Sequence, residues 1–151
     1  SAAATFRARL EKFRRGRNPA RQPVSIFYQV SDRPLFTLGA KHVINEVLSL
    51  CDGVNIFGDL DTEAASVDLE AVLARDPLAI VIGSANNSDS RAHWASYPNL
   101  RAIACDNVLY VDPALLVRPT PRVLDGAREL CAWLDEEVRV ADDPNCPALG
   151  D

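Results

Sequence analysis

The residues of this chain able to do covalent chemistry are few, and they do not assemble. His42 and His93 stand apart from each other and from any ligand-like spacing, so each reads as a helix-face or surface imidazole before a catalytic one. Ser84 lies in no G-x-S-x-G elbow, and the seven glycines form neither a G-x-G-x-x-G nor a P-loop. Cys105-Asp106 falls at an expected turn and reads as structural. Asp59, Asp61 and Glu63 are neighbouring carboxylates, but in an acidic loop such groups face water. No nucleophile, base and orienting group come together, so the chain is not expected to be an enzyme. The four cysteines, Cys51, Cys105, Cys131 and Cys146, contain no C-x-x-C pair, so no metal site is expected. Cys51 and Cys131 each fall on an apolar helix face. They are either two buried thiols or a bridge between two helices, and spacing does not choose between these.

Non-covalent binding is better served. Tyr28, Phe36 and Arg118 fall near the ends of expected strands or in loops. Aromatic faces and a guanidinium suit a planar, partly anionic ligand. Composition and spacing by themselves still favour a core Phe36 and an ordinary surface ion pair at Arg118.

The elements that must position these residues follow from periodicity. Residues 2–15 form an amphipathic helix, with Phe6, Leu10 and Phe13 on one stripe and arginines on the other. Val24–Val30 is a strand, and Ser31-Asp32-Arg33-Pro34 a turn. Leu35–Gly39 leads into a helix over roughly 40–51 that buries Val43, Ile44, Val47, Leu48 and Cys51. A short Val54–Phe57 segment and an acidic connection come next. Ser66 is placed to cap a helix bearing Leu69, Val72 and Leu73 on its apolar face, with Glu70 pointing outward. Pro77 ends that helix by excluding a helical Asp76, and Leu78–Ile82 reads as a strand covered on both faces. Ser84–Ser90 is expected as a loop and Ser90–Ser96 as a short helix. Leu100–Ala104 and Val108–Val111 are expected as strands around an Asp106-Asn107 turn. Asp112–Pro119 is a loop, Thr120-Pro121 opens the last helix, and 139–151 is a tail.

Strands separated by helices predict an α/β fold: a three-layer, Rossmann-like lobe with a mostly parallel sheet flanked by helices. Ligands of such sheets sit at the carboxyl ends of the strands. Here those ends are Gln29–Pro34, Gly83–Asn87 and Asp112–Arg118.

With 151 residues, 48% of them hydrophobic, the chain can bury a real core as one domain. No apolar run reaches the length of a membrane span. The opening Ser1-Ala2-Ala3-Ala4 carries no leader pattern and reads as a processed end, so compartment must be judged from elsewhere. Residues 1–22 hold seven basic residues and one acidic, whereas the rest holds nine basic and twenty acidic. The acidic body argues against a nucleic-acid surface, and the basic opening reads as a solvated helix face.

Four stretches then carry a resemblance. Pro34-Leu35-Phe36-Thr37-Leu38-Gly39, the run Asn45–Phe57 (NEVLSLCDGVNIF), the helix Val67–Pro77 (VDLEAVLARDP) and Arg118-Pro119-Thr120-Pro121-Arg122 occur in one order. In that order they resemble the C-terminal lobe of class III periplasmic substrate-binding proteins, and most of all the cobalamin-binding components of vitamin B12 ABC importers. The resemblance covers Val24–Leu134, about three quarters of the chain. It implies a periplasmic protein of two α/β lobes that holds a ligand between them and hands it to the permease subunits of the transporter. Contact with the membrane would be through that transporter alone. It implies segments 1–22 as the end of an interlobe helix and linker, 23–138 as the lobe, and 139–151 as a tail. By position it implies ligand contacts from Phe36 and Arg118, a Cys51–Cys131 disulfide, and Glu70 as the residue that docks on the transporter. Cys105 and Cys146 are left as a second possible pair. No cofactor is implied. The transported ligand would be cobalamin, haem, a ferric siderophore or another corrinoid, because Ala64 stands where cobalamin binders carry a tryptophan, and around Ala114 the chain lacks the acidic residue that relatives carry near the arginine. The alternative reading is a Rossmann-like, nucleotide-dependent enzyme domain.

Overall fold

The computed structural model describes residues 2–15, 23–32, 34–83, 87–112, 121–136 and 138. Helix α1 (Ala2–Arg15) opens the chain and meets the next helix through an Arg7–Glu46 ion pair at 3.4 Å. Strand β1 (Val24–Asp32), strand β2 (Leu35–Leu38), helix α2 (Ile44–Leu50), strand β3 (Gly53–Asn55) and strand β4 (Ala64–Ser66) follow. Then come helix α3 (Leu69–Arg75), strand β5 (Ala79–Ile82), helix α4 (Asn87–Trp94), helix α5 (Arg101–Ala104), strand β6 (Val108–Tyr110) and helix α6 (Pro121–Glu136). Among the described residues no helix is long and apolar enough to cross a membrane.

The sheet runs in the order β4-β2-β1-β5-β6. Three pairings are parallel, β1 with β3, β1 with β5 and β5 with β6, and two are antiparallel, β1 with β2 and β2 with β4. Strand β1 shares one edge between two partners. Val24–Ile26 pair with β3, whereas Gln29–Asp32 pair with β2, across a bulge between Gln29 and Ser31. The opposite edge of β1, from Ile26 to Gln29, belongs to β5.

Strand alternation divides the core into two layers, because successive side chains point to opposite faces. Val24, Ile26, Tyr28, Ala79 and Val81 face one layer, built with Ile44, Val47 and Leu48 of α2 and Ala127, Leu130 and Leu134 of α6. Phe27, Ile80 and Ile82 face the other, where Val72 of α3, Trp94 of α4 and Ala102 of α5 cover them. All four residues of β5 are buried, as an unbroken apolar run in a doubly covered strand requires. Cys51 and Cys131 join α2 to α6 in a disulfide, with Cα atoms 4.9 Å apart, across a sequence separation of 80 residues. Cys105 is buried and also disulfide-bonded. Its expected pairing with Cys146 falls on a residue outside the described ones.

Four local expectations are corrected. Leu35–Leu38 is a strand, and α2 begins only at Ile44, because Phe36, Thr37 and Leu38 find partners in β4. Ser66 belongs to β4 and does not cap α3; Asp68 holds the N-cap position, in extended geometry and with no side-chain cap bond. The helix expected over Ser90–Ser96 starts earlier, at Asn87, and ends at Trp94. Leu100–Ala104 is not a strand: Arg101–Ala104 form α5, whose Ala102 packs on the sheet. The Asp106-Asn107 turn therefore joins a helix to β6, with Asp106 in the left-handed region at φ 55°. Parallel strands need a crossover, and α5 completes the one between β5 and β6.

The end of α3 follows the expectation. Asp76 takes a left-handed C-cap conformation before Pro77, and its carboxylate accepts the Arg101 N–H at 2.9 Å.

Candidate functional site

Register places one row of residues across the carboxyl end of the sheet. Ser66 lies opposite Phe36, and Phe36 opposite Ser31. On the other edge of β1, Gln29 lies opposite Ile82, and Ile82 opposite Tyr110. The β1–β2 turn, the end of β4, the first turn of α3 and the end of β5 thus share one rim. A parallel α/β sheet leaves its ligand crevice at this end because the connections there diverge to opposite faces.

Phe36 is half-buried on this rim, between Ser31 and Ser66 on its neighbouring strands. The Ser31 hydroxyl donates to the Pro34 carbonyl at 2.7 Å and closes the turn beside it. Ala64 is exposed on β4 opposite Leu38, on the same face as Phe36. Glu70 is exposed in the first turn of α3, four residues after Ser66, and among the described residues its carboxylate has no ion-pair partner. Arg118 lies outside the described residues.

Tyr28 is the site expectation the structure corrects. It is only 2% exposed and packs within the layer of α2 and α6. A side chain so enclosed has no surface to offer a ligand, and burial pushes its phenol well above the usual tyrosine pKa. What it packs against is the end of β5: a Cβ at Gly83 would sit 2.7 Å from the Tyr28 hydroxyl, so a larger residue there would push the Tyr28 ring aside.

Polar residues that periodicity does not single out hold the far end of β2 and the end of α3, away from the rim. Asn55 Nδ2 donates to the Leu38 carbonyl at 2.7 Å and to Asn45 Oδ1 at 3.1 Å, while Asn55 Oδ1 accepts the Phe57 N–H at 2.9 Å. Asn45 Nδ2 donates in turn to the carbonyls of Gly39 and His42. Together they fix the turn between β2 and α2. His42 Nδ1 accepts the Ile44 N–H at 3.0 Å in that turn. Burial holds the His42 pKa below its ordinary value, and the charge of Glu63 opposes this in part. Arg75 lies over the Phe57 ring at 4.5 Å, forks onto Asp59 at 3.0 and 3.3 Å and donates to the Ile56 carbonyl. Its hydrogen bond holds the Asp59 carboxyl below the usual range.

His93 stacks edge-on with Trp94 and Tyr97, far in sequence from His42. Among the described residues no three His, Cys, Asp or Glu side chains are grouped to hold a metal.

Solved structures of periplasmic binding proteins match this three-layer lobe over about half of their length. A periplasmic heme-binding protein from Pseudomonas aeruginosa shares the fold at TM-score 0.71 and 22% identity, over 91% of this chain and 53% of that one. The crystal structure of the periplasmic vitamin B12-binding protein of Vibrio cholerae matches at TM-score 0.74 and 36% identity, over 88% of this chain and 52% of that one. In sequence the chain is 38% identical over 135 residues to a Vibrio cholerae vitamin B12-binding protein, covering 88% of the chain and 48% of the relative. No protein-family model matches. The chain spans about half the length of the relatives it matches, and what it is similar to is the C-terminal lobe of vitamin B12-binding proteins.

Proposed function

We propose that this lobe works as half of a two-lobed substrate-binding protein of an ABC importer. The ligand is cobalamin or a related metal chelate, such as haem or a ferric siderophore, captured in the periplasm and delivered to the permease subunits. The observation that carries this reading is the 38% identity to vitamin B12-binding proteins over nearly the whole chain. The half-buried Phe36 on the rim supports it, since a ring flanked by two small serines leaves its face open to a planar macrocycle. Arg118 would add a cation for the ligand's anionic groups, a role that rests on the resemblance of Arg118–Arg122.

Glu70 is the docking residue in this reading. It stands at the cleft end of the lobe, exposed, so a closed protein would present it to a basic pocket on the permease. A charge-assisted contact of that kind sets register and association rate more than affinity. The protein transports its ligand unchanged, so it needs no catalytic group.

The test is thermal shift and calorimetry on the two-lobed protein with cyanocobalamin, haemin, a ferric hydroxamate and a panel of nucleotides. Stabilisation by one of the chelates is expected. A response to nucleotides alone would replace this reading with the enzyme alternative.

A further inference from the structure

A buried amide sits where β1 changes partners. Gln29 is 0% exposed, yet it lies in an otherwise apolar layer with Phe27, Phe57 and Ile82. Its side chain meets two residues of α4. The Trp94 indole N–H donates to Gln29 Oε1 at 2.6 Å, and Gln29 Nε2 donates to the Ser90 hydroxyl at 2.9 Å. The indole nitrogen can only donate, so the amide orientation is fixed. Its backbone carbonyl accepts the Gly83 N–H at 2.9 Å.

Ser90 and Trp94 are four residues apart, on one face of α4. A single amide that binds both determines the rotation and the axial register of the helix together. Turning α4 by one residue would carry both partners about 100° away and break both bonds at once. Apolar packing alone tolerates such slips far better, because dispersion has little direction. A fully satisfied polar group in a dry layer therefore specifies one arrangement, since every alternative strands it.

We infer that Gln29 is a positioning residue of the ligand cleft. Its side chain holds α4 through Ser90 and Trp94 against the strand whose backbone carries Gly83 at the end of β5, so it fixes α4 relative to the rim end of β5. Tyr28 packs against Gly83 from the opposite face of the sheet. The inference rests on the proposed function in taking this rim as the ligand surface.

The experiment uses the two-lobed protein, cyanocobalamin as probe, and amide hydrogen exchange without ligand. Gln29→Met keeps the length and removes the two side-chain bonds, leaving the backbone bond to Gly83 in place. Ser90→Ala removes one bond and serves if Gln29→Met does not fold. Asn107→Ala is the control: it deletes another buried amide, bonded to the Leu78 carbonyl at 3.0 Å, at the opposite end of β5. Gln29→Met should weaken cyanocobalamin binding about fivefold or more, the size of a lost buried hydrogen bond, with Ser90→Ala intermediate and Asn107→Ala nearly unchanged. Exchange along α4 should rise about tenfold in the Gln29 variant, with α2 and α6 unaffected. Equal losses of affinity in the Gln29 and Asn107 variants, or a uniform rise in exchange, would reduce Gln29 to a stability residue and overturn the inference. If the unaltered protein ignores cyanocobalamin, the proposed ligand falls, and the exchange pattern still decides for or against Gln29.

Discussion

Replacing both bridging cysteines, Cys51→Ala with Cys131→Ala, should destabilise the chain by about 5–6 kcal/mol. The bridge spans a sequence separation of 80 residues. Confining a loop of that length removes roughly 15 cal/mol/K of entropy from the unfolded ensemble, about 4.5 kcal/mol at room temperature. The two sulfurs also fill space between α2 and α6, where Cys51 is 0% and Cys131 2% exposed. Losing them adds a packing loss of about 1 kcal/mol. At 2–4 °C per kcal/mol for a chain of this size, Tm should fall by roughly 10–24 °C. Urea unfolding followed by circular dichroism measures the change directly. The urea slope m provides a second check, because an unfolded chain released from its cross-link expands and exposes more surface. A loss below about 1.5 kcal/mol with an unchanged m would refute the loop-entropy argument. Free thiols at Cys51 and Cys131, in a non-reduced digest of protein kept oxidised, would refute the bridge itself.

Three further outcomes are expected. Phe36→Ala should weaken ligand binding by the two-lobed protein about tenfold, as loss of an aromatic face implies, with Tm nearly unchanged; calorimetry and thermal melts on one preparation separate the two. Glu70→Arg should leave folding and ligand affinity intact while transporter binding and uptake fall; normal uptake, or a matching fall in affinity, would remove the docking role. His42 sits neutral in the fold, with its pKa lowered, so its contribution to stability is complete above the unfolded histidine value of about 6.5 and is lost as pH falls below it toward the folded pKa. Unfolding titrations on the acid side of neutrality should show that slope, and His42→Asn should flatten it; an identical slope in the variant would mean another group is responsible.

The long periodic elements were legible in the sequence because their signals are local. The run Leu78–Ile82 has only one way to be satisfied, burial on both faces, and Pro77 forbids the helix before it from continuing. The last helix declares itself through its first-turn proline and its apolar stripe. Composition and spacing left Cys51 and Cys131 undecided, and only the resemblance, then the packing of α2 on α6, joined them. Tertiary structure alone decided the short pieces. Ala64–Ser66 has no strand propensity of its own and becomes β4 because β2 offers an edge to pair with. Leu100–Ala104 is too short for periodicity to separate strand from helix, and the crossover to β6 settles it. Tyr28 looked like a rim aromatic because it lies two residues from a strand end, but the parity of β1 turns it into the core. Gln29 carried no signal at all. Its partners lie 61 and 65 residues away, and a hydrogen bond across that distance exists only once the sheet and α4 have been brought together.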